Sequence, residues 1–153
     1  MKIRDILQKN VDFTTPDATL LGASKVIFRH NHEGVPVVKM PSRKLVGFIT
    51  EQDILLQLFP NVKDLIEDYV HARDFEAMEG KIKTVLTKKV KDVMCRQTNA
   101  IHAEEPILEA ESTMKLRGVS YLPVVGNGGN LLGTISTGDI FRALVSTKIC
   151  GFK

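Results

Sequence analysis

VGFITEQDI, residues 46–54, runs from apolar chain through Thr50 into Asp53, and 86 positions later it returns as LGTISTGDI, residues 132–140. The match widens outward from there. VPVV (35–38) pairs with LPVV (122–125), TLLGA (19–23) with PILEA (106–110), and KIRDIL (2–7) with KVKDVM (89–94), all at an offset of 87. A single deletion in the second hairpin turn accounts for the change of offset. Two half-sized copies in 153 residues imply a pseudo-symmetric pair, because neither half alone encloses enough core.

Each copy reads as strand, helix, strand, strand, helix, an α+β pattern. VDFTT and NAIHA carry β-branched and aromatic residues that favour a first strand. Pro16-Asp17 and Glu104-Glu105-Pro106 open helices, with acids at the positive end of the helix dipole. Leu20, Ala23, Val26 and Ile27 follow helical spacing in the first copy, and Ile107, Leu108, Glu111 and Met114 do so less cleanly in the second. GVPVVKM and YLPVVGN are strands entered through a proline, and the turns PSRK and NGGN return them as hairpins through LVGFIT and LLGTIS. A last helix presents Ile54, Leu55 and Leu58, matched by Ile140, Phe141 and Leu144. The copies span 1–58 and 89–153. Between them, a connector at 59–88 has no counterpart and reads as two short helices, broken around Ala72-Arg73-Asp74 and loosened at Gly80.

The composition, 43% hydrophobic and 25% charged, is that of a soluble globular chain. No apolar run approaches the roughly 20 residues a membrane span needs, and Met1-Lys2-Ile3-Arg4-Asp5 lacks a signal-peptide apolar region, so the expectation is a cytoplasmic protein without membrane contact. Cys95 and Cys150 lie far apart without CxxC spacing, which suits packing roles in a reducing compartment. The net charge of +3 comes from bases interleaved with acids, which argues against nucleic acid as a partner.

Thr50-x-x-Asp53 and Ser136-x-x-Asp139 each fit a capping box, in which a hydroxyl and a carboxylate satisfy the orphan donors of a helix start. The same geometry has a second use. Helix-start N–H groups and a hydroxyl suit a phosphate, and a carboxylate suits the paired hydroxyl donors of a ribose. Hydroxyl plus carboxylate one turn apart therefore fits a nucleoside phosphate.

The paired pattern of GVPVV with GFITEQDI and YLPVV with GTISTGDI resembles the cystathionine-β-synthase (CBS) domain, two of which form a Bateman module. The resemblance covers all but the connector. It implies a non-catalytic regulatory sensor that binds an adenosine-containing ligand, AMP, ADP or ATP, or else S-adenosylmethionine or NADH, without a catalytic cofactor or metal. By the same resemblance Asp53 and Asp139 hold ribose hydroxyls, and Thr50 and Ser136 face phosphate. Gly34-Val35-Pro36 and Ser120-Tyr121-Leu122-Pro123 present backbone groups to the base, and Asp12, Thr14, Asn99 and Ile101 line the edges. The family builds each cleft from both copies, which places Asp53 opposite Tyr121 and Leu122, and Asp139 opposite Val35. His30 and Arg117 occupy equivalent positions; either neutralises a phosphate or is a solvated charge at a helix end. The resemblance also implies a homodimer that signals by conformational change to a separate effector.

Three departures from the family pattern stand out. The connector is longer than a usual linker, Gly34 stands where a serine is common, and Glu51 adds a negative charge beside Thr50 that disfavours a second phosphate unless Arg117 offsets it. Gly138, by contrast, lets backbone approach a ligand closely. The clefts are therefore expected to be unequal, with no order assigned. Two rival readings remain open: an interaction or oligomerisation module with empty clefts, and a metal-dependent enzyme using His30, His32, Glu33, His71 and His102, whose spacing falls far short of a zinc signature.

Overall fold

The computed structural model describes residues 1–29, 33–59 and 74–149. The chain divides into two compact units. One comprises Asp12–Lys39 and Val46–Gln97, the other Met1–Val11, Met40–Leu45 and Thr98–Lys153.

The first unit contains α1 (Leu20–Arg29), β1 (Gly34–Lys39), most of β2 (Lys44–Thr50), α2 (Glu51–Leu56), α3 (Phe75–Gly80) and α4 (Ile82–Val85). β1 and β2 form a two-stranded sheet. The first strand expected at VDFTT shrinks to one parallel bridge, Thr14 to Val37, in which Thr14 N–H donates to Pro36 O at 3.0 Å and Val38 N–H to Thr14 O at 2.9 Å. Pro16 has no N–H with which to extend the ladder. Pro16 and Asp17 form a turn rather than a helix start. α1 begins at Leu20 instead, because the Thr19 hydroxyl accepts from Gly22 N–H at 3.1 Å, and the Leu20 and Leu21 N–H groups donate to the carbonyls of Lys88 and Leu86. Its face of Leu20, Ala23 and Ile27 packs with Val35, Val37, Ile49, Ile54 and Val85.

The second unit contains β3 (Ile101–His102), α5 (Ile107–Arg117), β4 (Tyr121–Val125), β5 (Leu131–Ser136) and α6 (Thr137–Ile149). The sheet order is β3-β4-β5, parallel then antiparallel, with Leu122 opposite Ile135 and a register shift at Val124/Val125. Ile107, Ala110 and Met114 form the buried stripe of α5, and Leu108 is exposed, contrary to the sequence expectation. Of the closing-helix residues, Ile54 and Ile140 are buried, but Leu55, Phe141 and Leu144 are exposed. Cys95, expected to pack, is exposed as well, and Cys150 lies outside the described residues.

In the connector, Asp74 accepts from Ala77 N–H at 3.2 Å and starts α3, which ends at Gly80. Met78 and Val85 are buried while Phe75 is exposed. The expected first connector helix, with Leu65, Ile66, Tyr69 and Val70, lies outside the described residues.

The compact units cut the chain differently from the sequence copies. KIRDIL folds in the second unit: Ile3 is fully buried among Ile101, Ile107, Leu122 and Ile135, with Ile3 N–H donating to Glu105 O and Arg4 N–H to Ala103 O. KVKDVM repeats this in the first unit. Val90 is fully buried among Leu20 and Ile49, with Val90 N–H donating to Ala18 O and Lys91 N–H to Pro16 O. The opener of each copy therefore completes the core formed by the other copy's strands and helices.

A glycine in each hairpin makes room for this opener. Gln8 pairs with Thr134, and Cys95 with Phe48, through two backbone hydrogen bonds each. A Cβ on Gly133 would run into Gln8 O and Leu7 Cδ1, and one on Gly47 would meet Met94 Sδ at 2.6 Å and Cys95 O at 3.0 Å. The glycine in both copies of the opening motif is thus a packing requirement.

Candidate functional site

Both Thr/Ser-x-x-Asp stretches stand where a hairpin strand passes into a helix, and both are complete capping boxes. Asp53 N–H donates to Thr50 Oγ1 at 3.1 Å and Thr50 N–H to Asp53 Oδ2 at 2.9 Å. Asp139 N–H donates to Ser136 Oγ at 3.2 Å and Ser136 N–H to Asp139 Oδ2 at 2.9 Å. The capping chemistry read from the sequence is therefore present twice.

The two carboxylates differ in everything beyond the cap. Among the described residues the half-buried Asp53 carboxylate accepts only the Thr50 N–H bond, and its Oδ1 has no hydrogen-bond partner. Asp139 is 7% exposed and saturated. Its Oδ2 also accepts from Ser136 Oγ at 2.8 Å, and its Oδ1 accepts from Gln8 Nε2 at 3.1 Å and Arg142 Nη2 at 2.7 Å. Burial is the largest single influence on this acid and opposes its ionisation. The Ser136 hydroxyl and N–H, Gln8 and Arg142 together outweigh burial and hold the Asp139 carboxyl below its ordinary value.

The other sequence candidates fall into three groups. Val35, Leu122 and Ile101 lie in the hydrophobic cores, so only their backbone groups are placed to meet a ligand. Pro36, Pro123 and Thr14 are buried as well, and Pro36 O is taken by the Thr14 N–H. Asp12 and Tyr121 are half-buried, and Ser120 is exposed.

Arg117 and Asn99 are brought together. Arg117, exposed in the last turn of α5, donates from Nη1 to Asn99 Oδ1 at 2.7 Å. His30, its counterpart, lies outside the described residues, as do His32 and His71. Among the described residues no cluster of three His, Cys, Asp or Glu side chains is placed to hold a metal ion, and no helix is long and apolar enough to cross a membrane.

Backbone pairing follows the 87-residue offset of the sequence match. Glu51 N–H donates to Glu33 O at 2.9 Å, as Thr137 N–H donates to Ser120 O at 3.1 Å, so Glu33 is the counterpart of Ser120 and Gly34 that of Tyr121. A Cβ at Gly34 would lie 2.6 Å from Ile49 O and 2.9 Å from Thr50 Cγ2, which leaves no room for a serine. Sequence reasoning also missed Gln8 and Arg142. Arg142 was visible as an i,i+3 partner of Asp139. Gln8 carried no local signal, being 131 positions away.

The CBS domain family matches residues 3–59 and again 90–146. The chain belongs to the CBS-domain family. It is 31% identical to the uncharacterized protein MJ1426 of Methanocaldococcus jannaschii over 95% of this chain and 92% of that one. Among solved structures, CBSX2, a CBS-pair protein of Arabidopsis thaliana, in complex with AMP superposes with a TM-score of 0.70 at 22% identity, covering 96% of this chain and 98% of that one. The CBS domain pair of MJ0100, in complex with 5′-methylthioadenosine and S-adenosyl-L-methionine, gives 0.64 at 22% identity, with 96% and 98% covered. The tandem CBS architecture is thus shared along nearly the whole chain.

Proposed function

We propose that this CBS pair is a non-catalytic cytoplasmic sensor of an adenosine-containing ligand, with AMP, ADP and ATP first and S-adenosylmethionine or NADH as further members of the class. The observation that carries the reading is the capping box placed at the same hairpin-to-helix junction in each copy, with one oxygen of Asp53 uncommitted among the described residues. The AMP and S-adenosylmethionine complexes of CBSX2 and MJ0100 support the ligand class. Asp53 and Asp139 are the ribose acids and Thr50 and Ser136 the phosphate-facing hydroxyls. Gly34 to Pro36 and Ser120 to Pro123 contribute backbone groups to the base, and Arg117 beside Asn99 supplies positive charge. Ligand binding shifts a conformational equilibrium only by its differential affinity for the two states, and the output passes to a separate effector.

Calorimetric titration of the ligand-free chain with AMP, ADP, ATP, S-adenosylmethionine and NADH tests this reading. At least one should bind with a Kd below about 1 mM, and Asp53→Ala should weaken it about tenfold or more, since a hydrogen bond to a charged group is worth roughly 1.5–3 kcal/mol. If wild type bound none of the five, the sensor reading would fall. The reading includes the homodimer that the family resemblance implies. Light scattering of the same samples should give twice the chain mass, and a monomer at every concentration would remove that part.

A module with empty sites is the second reading. What favours it is Asp139, whose carboxylate is already fully engaged.

A further inference from the structure

Comparison of the two capping boxes, residue by residue, ranks them. A carboxylate offers about four acceptor positions. Among the described residues the Asp139 carboxylate accepts four hydrogen bonds, from Ser136 N–H, Ser136 Oγ, Gln8 Nε2 and Arg142 Nη2, whereas the Asp53 carboxylate accepts one, from Thr50 N–H. Two of the donors to Asp139 are replaced by other residue types at the equivalent positions of the Asp53 box. Gln8, whose backbone pairs with Thr134, corresponds to Cys95, whose backbone pairs with Phe48 and whose thiol turns to Gln97 O at 3.5 Å. Arg142 corresponds to Leu56, an exposed apolar residue with no donor.

The clamp on Asp139 is well anchored. Gln8 N–H donates to Thr134 O at 2.8 Å and Thr134 N–H to Gln8 O at 3.0 Å, which fixes the root of the glutamine side chain one strand away from the acid. Arg142 sits one turn along α6 from Asp139 and closes the same oxygen from the helix side. A diol reaching Asp139 must therefore displace a charge-assisted bond and an amide bond that the protein already makes. At Asp53 it meets an acceptor, Oδ1, that no described residue occupies.

We infer that Gln8 and Arg142 form an internal clamp that occupies the ribose-binding carboxylate of Asp139, so that Asp53 provides the higher-affinity site and Asp139 a latent one. The inference rests on the nucleotide-sensing reading and adds to it the residues that set the order of occupancy. Removal of the clamp turns the latent acid into a competent one.

The test is calorimetry with AMP on wild type, Asp53→Ala, Gln8→Ala/Arg142→Ala, and that double variant carrying Asp139→Ala in addition. Circular dichroism melts confirm that each is folded. Wild type should show one dominant event per chain, lost in Asp53→Ala. The double variant should gain a second event, or tighten an existing weak one, by about tenfold, equivalent to about 1.4 kcal/mol, and the added Asp139→Ala should abolish that gain. Retention of the tighter event in Asp53→Ala, or a second event unchanged or weakened in the double variant, would overturn the clamp while leaving nucleotide sensing intact. Absence of AMP binding by every chain, together with none from the rest of the ligand panel, would instead remove the sensing reading and the clamp with it.

Discussion

Ile3→Ala is expected to destabilise the protein by about 2–5 kcal/mol, the range for truncating a large aliphatic side chain that surrounding structure cannot replace. Residues near a chain's start ordinarily tolerate change, because few of them are tied down. Ile3 is an exception. It is fully buried against Ile101, Ile107, Leu122 and Ile135, and the 3₁₀ turn Ile3–Asp5 that carries it is pinned by two backbone bonds to the 103–105 segment. Lys2 and Arg4 add ion pairs to Glu104 at 2.7 and 2.8 Å, but both partners are about half exposed and contribute little. Removing the side chain should leave a cavity in the core of the second unit. Thermal unfolding should move down by on the order of 10 °C for a chain of this length. Ile6→Ala, at a half-buried position in the same segment, should cost much less. Equal losses from the two substitutions would show that the opener contributes through its backbone rather than through Ile3.

That exchange of openers was the part of the fold least legible in the sequence. KIRDIL and KVKDVM are alike, so periodicity shows that each packs against a strand-helix unit without showing which one. The hairpins and capping boxes were legible because their chemistry is local: proline at strand entry, hydroxyl before the helix, acid three residues on. The α5 face was harder. Its buried stripe relies on Ala110, a small residue that signals little, while Leu108 draws the eye and faces solvent. At the candidate site the residues legible in the sequence were those of the repeated motif. Gln8 was not, because a side chain contributed by a swapped opener leaves no trace at helical or strand spacing.

Gly133→Ala is expected to be the second large loss. A methyl group there meets Gln8 O and Leu7 Cδ1, and the backbone oxygen cannot rotate away as a side chain can. The antiparallel bridge between Gln8 and Thr134, with its bonds of 2.8 and 3.0 Å, must open to admit it. Overpacking costs roughly 1–3 kcal/mol, and each lost backbone hydrogen bond adds roughly 0.5–1.5 kcal/mol, so a total near 3 kcal/mol is expected. Gly47→Ala should cost less, because its nearest obstacle is the movable Met94 sulfur. Gly80→Ala, where a Cβ meets nothing within 4 Å at the end of α3, should be neutral or slightly stabilising. Chemical denaturation of the three variants gives the order directly. If Gly133→Ala unfolded at the wild-type midpoint, the opener would not be held as tightly against β5 as its backbone bonds indicate. The same substitution also reaches the proposed ribose acid, since displacing Gln8 withdraws its amide from Asp139 Oδ1. A hairpin glycine that serves packing therefore also sets how firmly the Asp139 carboxylate is clamped.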